Sequence, residues 1–171
     1  MRFIETPIAG AWVIEVEQAA DERGSFARLA DRDEFSRRGL IVPSTQWSVS
    51  FNRTRATLRG MHYQAEPHEE VKLVRCTAGQ VFDVIVDIRT RRWFGIELSA
   101  ENRRALYIPA GMAHGFVTLV DGTEMFYAIE GEYAPAAARG IRWNDPAVAI
   151  QWPLTADIIS DRDRSFPLLD A

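Results

Sequence analysis

The sequence predicts an all-β protein, a sandwich or barrel of short strands with a few short helices. Three observations carry this. Stretches rich in β-branched and aromatic residues recur at regular spacing, turn-forming clusters separate them, and helix-period patterns are scarce. A chain of 171 residues with 47% hydrophobic and 11% aromatic content can bury one substantial core. No repeat, low-complexity tract or linker divides it, so residues 1–171 read as a single domain.

The first strand signal is "GAWVIEVEQ", from residue 10 to 18. A helix of about two turns is expected in "DRDEFSRRG": Asp31 can cap its start, Glu34 has the spacing to complete a capping box, and Gly39 suits the stop. "VKLVRCTAG" reads as the next strand. In "GQVFDVIVDIR", Val81, Asp83, Ile85 and Asp87 alternate with Phe82, Val84, Val86 and Ile88, which puts the two sets on opposite faces. "FGIELSA", "RALYIPAG", "HGFVTLV" and "EMFYAIEGEYA" follow, separated by Ala-Glu-Asn, Pro-Ala-Gly-Met and Asp-Gly turns. Near the end, Ser160 and Asp163 in "SDRD" have capping-box spacing and mark a second short helix.

Charge and composition exclude several classes. A formal net charge of −4 argues against nucleic-acid binding, which needs a surplus of Lys and Arg to neutralise phosphates. "MRFIETPIAGAWVIEVEQ" has no basic head followed by an apolar run, and no stretch is apolar for long enough to span a bilayer. A soluble, cytoplasmic protein without membrane partners is expected. Cys76, the one cysteine, cannot form an intrachain disulfide, and its apolar setting in "KLVRCTAG" reads as an inert strand thiol.

The chemistry must come from few groups. Only His62, His68 and His114 are present, so a metal site would have few imidazoles to draw on. His68 lies in "EPHEE", a charged turn, and is expected in solvent. His62, in "LRGMHYQ", is open to three readings: a metal ligand, a satisfied core histidine, or a base. Imidazole titrates near neutral pH, which suits the third. Lys72 interrupts an otherwise apolar strand, and a charge on a core strand needs a reason.

The sequence resembles half of the metal-binding pattern of cupin-type jelly rolls. "IPAGMAH" keeps Pro109, Gly111 and His114, whereas His62-Tyr63-Gln64 has glutamine where a second ligand would stand. Neither a metal nor a cofactor is expected.

A more specific likeness follows. "DERGSF", "TLRGMHYQ", "KLVRC", "VFDVIVDIR", "LYIPAGMAHGF", "GIRWNDP" and "ISDRD" resemble, in this order and across nearly the whole chain, the signature segments of the dTDP-4-dehydrorhamnose 3,5-epimerase family. The resemblance implies a cupin-type jelly roll, a homodimer, and a cofactor-free isomerase acting on a nucleoside-diphospho-4-keto-6-deoxyhexose. Carbons 3 and 5 of such a sugar flank a ketone and carry acidic hydrogens, so inversion needs a base, an acid and an enolate stabiliser. By resemblance, His62 is the base, Asp163 orients it, Lys72 holds the C4 oxygen and Tyr127 is the acid. Arg23 and Arg59 match diphosphate-binding positions, with His114 as a further donor. Tyr133 matches a second pocket tyrosine, and Phe26 and Gln46 match nucleoside contacts.

Departures from the family pattern lie at Arg28, Ser48 and Ala128, with one extra residue within "SFNRTRAT". They leave the nucleotide base open. A C3-only epimerase or a 3,4-ketoisomerase would use the same enolisation. A metal-dependent cupin enzyme and a non-catalytic sugar-nucleotide binder are the readings from other classes.

Overall fold

The computed structural model describes residues 1–169; Asp170 and Ala171, the last positions of the expected 1–171 unit, lie outside the described residues. The chain opens with β1 (Arg2–Glu5) and β2 (Trp12–Glu15), then projects a hairpin, β3 (Gln18–Asp21) and β4 (Gly24–Ala27). The first helix, α1 (Arg32–Ser36), leads to β5 (Gln46–Asn52) and β6 (Thr57–Gln64). β7 (Val71–Ala78), β8 (Gln80–Asp87), β9 (Arg92–Ser99), β10 (Ala105–Ile108), β11 (Met112–Thr118) and β12 (Thr123–Glu130) follow. A 3-10 turn at Pro135–Ala137 precedes β13 (Ala138–Gly140), and β14 (Ile158–Ile159) runs into α2 (Asp161–Ser165).

Two sheets form the body of a jelly roll. One has the order β1-β2-β10-β7-β12-β5 and the other β13-β6-β11-β8-β9, with β14 parallel to β6. Between them lies a core that includes Val13, Val74, Cys76, Ile85, Leu98, Leu106, Phe116 and Met125. Cys76 is fully buried, and desolvation pushes its thiol up to about 11, as an inert strand cysteine requires.

Both outer faces are also partly covered. α1 lays Phe35 against Ile14, Leu73 and Tyr107 on the first sheet. The segment after β13 lays Ile141, Val148 and Trp152 against Met61, Val84 and Val86 on the second. β8 is therefore buried on both faces, and the expected alternation holds: Val81 and Ile85, with Asp83 between them, face inward while Val84 and Val86 face the C-terminal cover.

Local signals behave as their chemistry dictates, with two differences. Asp31 caps α1 through bonds from the amides of Asp33 and Glu34, and Gly39 takes φ +70 at the stop. Glu34, however, does not close the capping box; its carboxylate pairs with Arg37 at 2.8 Å and Arg38 at 3.1 Å, charged partners that outbid a backbone amide. The expected single strand over residues 10–18 is broken, because the chain leaves the sheet after Glu15 and begins the exposed hairpin at Gln18. At the opposite edge of that sheet, β5 exposes Trp47, Val49 and Phe51, which are 72%, 64% and 56% accessible.

Candidate active site

Strand alternation and register place the site. His62 on β6 lies directly opposite His114 on β11, so both imidazoles project from the same face of the second sheet. These strands approach closely because Gly60 and Gly115 meet there. A Cβ on Gly60 would stand 2.6 Å from the Gly115 Cα, and Gly60 has φ +137. On the facing sheet, Lys72 of β7 pairs with Ile129 of β12, and Tyr127 pairs with Ser48 of β5. Inward-pointing residues of the two sheets thus enclose a cleft of about 280 Å³, lined by Ser48, Ser50, Arg59, His62, Lys72, His114 and Tyr127. His62 and Tyr127 enter it from opposite walls.

His62 is paired by the C-terminal segment. Its Nε2 lies 2.7 Å from Asp163 Oδ1, and the Gly60 amide donates to Oδ2 at 3.1 Å. Asp163 is buried at 4% exposure, and its backbone amide donates to the Ser160 hydroxyl at the start of α2. Ser160 is therefore the cap, and Asp163 gives it a backbone amide while its carboxylate is turned to His62 and Gly60. Burial pushes the Asp163 carboxyl up, but the hydrogen bond and charge of His62 and the Gly60 amide outweigh it and hold it below the usual carboxylate range. With that carboxylate ionised, Nε2 carries the hydrogen and Nδ1 keeps the lone pair. Phe166 packs edge-on against the imidazole at 5.6 Å, in space that Gly140 leaves free, since a Cβ there would meet the ring at 2.4 Å.

The lowered Asp163 pKa has a pH consequence. A carboxyl depressed on folding contributes stability above its unfolded pKa of about 4, and that contribution is lost as pH falls through the folded value. Asp163→Asn is expected to melt below wild type at pH 7, with the gap shrinking towards pH 3. Thermal melts at both pH values check this; a gap of constant size would contradict it.

The other residues have partners that sequence reasoning did not name. Lys72 Nζ lies 3.2 Å from Glu70 Oε2, with both side chains near 10% exposed. Arg59 Nε donates to Asn52 Oδ1 at 2.7 Å, which aims the guanidinium. His114, 5% exposed, bonds through Nε2 to Asp83 Oδ1 at 2.9 Å. Asp83 is wholly buried, its Oδ2 has no hydrogen-bond partner among the described residues, and burial pushes its carboxyl up against the pull of His114. Burial also drives the Tyr127 phenol above its usual range, the Asp83 charge adding to this while Arg59 and Ser50 oppose it. A neighbouring lobe of about 380 Å³ shares Arg59 and His62 with the cleft and adds Arg162 and Asp163.

Four of the expected residues stand apart from this cleft. Arg23 and Phe26 are on the projecting hairpin, the former paired with Asp21 and the latter 76% exposed. Gln46 donates its side-chain amide to the Gly131 carbonyl, and Tyr133 is 60% exposed in the loop after β12. Among the departures, Ser48 does line the cleft. Ala128 does not: it is buried on the other face of β12 against Ile14, Phe35 and Leu73, so it cannot reshape the pocket directly. Arg28 pairs with Asp31 at the start of α1. Gln64 is fully engaged with the backbone of His68, Glu132 and Ala134, and His68 is exposed. Among the described residues, no group of three or more His, Cys, Asp or Glu side chains is placed to hold a metal ion. No helix among the described residues is long and apolar enough to cross a membrane.

Comparison with known proteins decides the kinship. The family profile described as dTDP-4-dehydrorhamnose 3,5-epimerase matches residues 5–171. The chain belongs to the dTDP-4-dehydrorhamnose 3,5-epimerase family. It is 41% identical over 169 residues to the dTDP-4-dehydrorhamnose 3,5-epimerase of Shigella flexneri, covering 95% of this chain and 93% of that one. It is 37% identical to the dTDP-4-dehydrorhamnose 3-epimerase of Streptomyces niveus, covering 99% and 84%. The crystal structure of the dTDP-4-dehydrorhamnose 3,5-epimerase of Bacillus anthracis, with TDP and PPi bound, superposes with a TM-score of 0.93 at 38% identity, covering 98% and 99%. The jelly roll is thus the fold of this epimerase family.

Proposed function

We propose that this protein is a cofactor-free isomerase that inverts C3 and C5 of a nucleoside-diphospho-4-keto-6-deoxyhexose, as its family name describes. One observation carries the reading: an imidazole paired with a carboxylate and a phenol enter one cleft from opposite walls, with an ammonium beside them. Inversion at a carbon next to a ketone needs a proton removed from one face and delivered to the other.

The geometry supports a role for each residue. His62 Nδ1 takes the hydrogen next to the carbonyl, and Asp163 holds the imidazole in the right tautomer and balances its charge. Lys72 places a positive charge where the C4 oxygen becomes an enolate. Tyr127 returns a proton to the opposite face. Arg59 and Arg162 line the adjoining lobe and supply charge for the diphosphate. Residues 1–171 act as one catalytic domain, which the crossing of N- and C-terminal segments onto the two sheets supports. The enzyme works in the cytoplasm.

Arg23, Phe26, Gln46 and Tyr133 act through a homodimer. The hairpin that carries Arg23 and Phe26 is exposed on every residue but its last, and β5 presents an edge unpaired among the described residues, with three exposed apolar side chains. A second copy covers these surfaces and completes the nucleotide site. Light scattering at micromolar concentration is expected to give twice the chain mass; a monomer would contradict the dimer.

The Streptomyces niveus relative favours a second reading, inversion at C3 alone. Proton NMR in deuterated water with a panel of nucleotide-linked 4-keto-6-deoxy sugars separates the two: loss of signal at C3 and C5 supports double inversion, and loss at C3 alone supports the second. Absence of exchange at either carbon rejects both.

A further inference from the structure

Each inversion leaves the enzyme in the wrong protonation state. Once His62 has taken a proton and Tyr127 has given one, the site holds an imidazolium on one wall and a phenolate on the other. The phenolate is the more serious problem, because Tyr127 sits where burial and the Asp83 charge both disfavour its ionised form. A second carbon, or a second substrate, cannot be inverted until the phenol is restored.

The group placed to restore it is a second imidazole–carboxylate pair. His114 packs edge-on against Tyr127 with ring centroids 6.1 Å apart, a gap that one bridging water or a small rotation closes. Behind it, Asp83 is wholly buried, gives one oxygen to His114, and has no partner for the other among the described residues. A buried carboxyl left half-satisfied is costly unless the site uses it. Substrate binding alone would need a donor here but not a second proton-holding group buried behind it.

We infer that the His114–Asp83 pair is the proton store that returns Tyr127 to its phenol form after each inversion. The step balances: the N–H of the protonated pair breaks, an O–H forms on the Tyr127 phenolate, and the pair is left with one proton fewer. The pair shares that proton as a unit, so the store is full whichever atom bears it. The His62 imidazolium gives its extra proton to solvent and the pair takes one back from solvent, so the enzyme returns to its starting state with no net proton gained or lost. Asp83 is in this account a positioning residue, acting through His114. The inference rests on Tyr127 being the acid, as proposed above.

The test is quenched-flow turnover of a nucleotide-linked 4-keto-6-deoxy sugar in excess over enzyme, comparing wild type with Asp83→Asn. The variant is expected to show a burst of one inverted carbon per active site, then a steady rate lower by about 10²-fold, the usual share of a positioned proton donor. Added imidazole or another small acid is expected to speed the slow phase and leave the burst unchanged. His114→Gln is expected to show the same two phases, and it replaces Asp83→Asn if that variant does not fold. Variants that lose both phases equally, without rescue by added acid, overturn the inference and leave His114 a binding group. Variants with wild-type kinetics overturn it too. A wild-type protein that inverts no such sugar overturns the proposed function as well.

Discussion

In deuterated water, Tyr127→Phe is expected to exchange its substrate's C3 or C5 hydrogen without inverting the carbon. The phenol-to-phenyl change keeps the ring volume and leaves the His62–Asp163 pair on the opposite wall intact. His62 can still remove a proton, trade it for deuterium and return it to the same face. His62→Ala is expected to do neither, with turnover reduced about 10²- to 10⁴-fold, because no group remains on that wall to start the reaction. NMR of deuterium incorporation, set against product stereochemistry, reads the two variants separately. Wild-type inversion by Tyr127→Phe, or normal deuterium wash-in by His62→Ala, would reverse the assignment.

Replacing Lys72 is expected to cost about 10²- to 10³-fold in kcat with little change in KM, since its charge matters most once the C4 oxygen becomes anionic. The partner at Glu70 complicates the simple variant. Lys72→Ala leaves a carboxylate only 10% exposed without its cation, and such a group disturbs a cleft on its own account. Lys72→Met combined with Glu70→Gln removes the pair together. The double variant is expected to keep the fold and nucleotide-diphosphate binding while losing turnover to the same extent. A rise in KM at unchanged kcat would assign Lys72 to binding.

Strands β7 to β12 were legible because each carries β-branched or aromatic residues between turn signals. The hairpin β3–β4 was not: "QAAD" and "GSFA" have little β propensity and bury almost nothing, so only their pairing makes them strands. β13 and β14 are two or three residues long and exist because β6 offers edges to them. In the site, Lys72 stood out as a charge on an apolar strand, and resemblance named it together with His62, Tyr127 and Asp163. What the sequence did not reveal was which group partners which. Asp83 read as one alternating position on β8 and Glu70 as part of a charged turn, while Phe166 drew no reading at all. Each became informative only when chain segments distant in sequence were folded against the cleft.

The His62–Asp163 pair joins residues 101 positions apart, and its carboxylate arrives on a short segment that docks against β6 from outside the sandwich. That segment is short and contributes no side chain to the core between the sheets, so the pair is expected among the last contacts made as the chain folds. The two sheets can pack their shared core before this segment settles. Catalytic competence is therefore a clock for the final docking event. In refolding, the return of activity is expected to lag the burial of the core, and the lag measures how long the protein exists as a folded sandwich that cannot yet react.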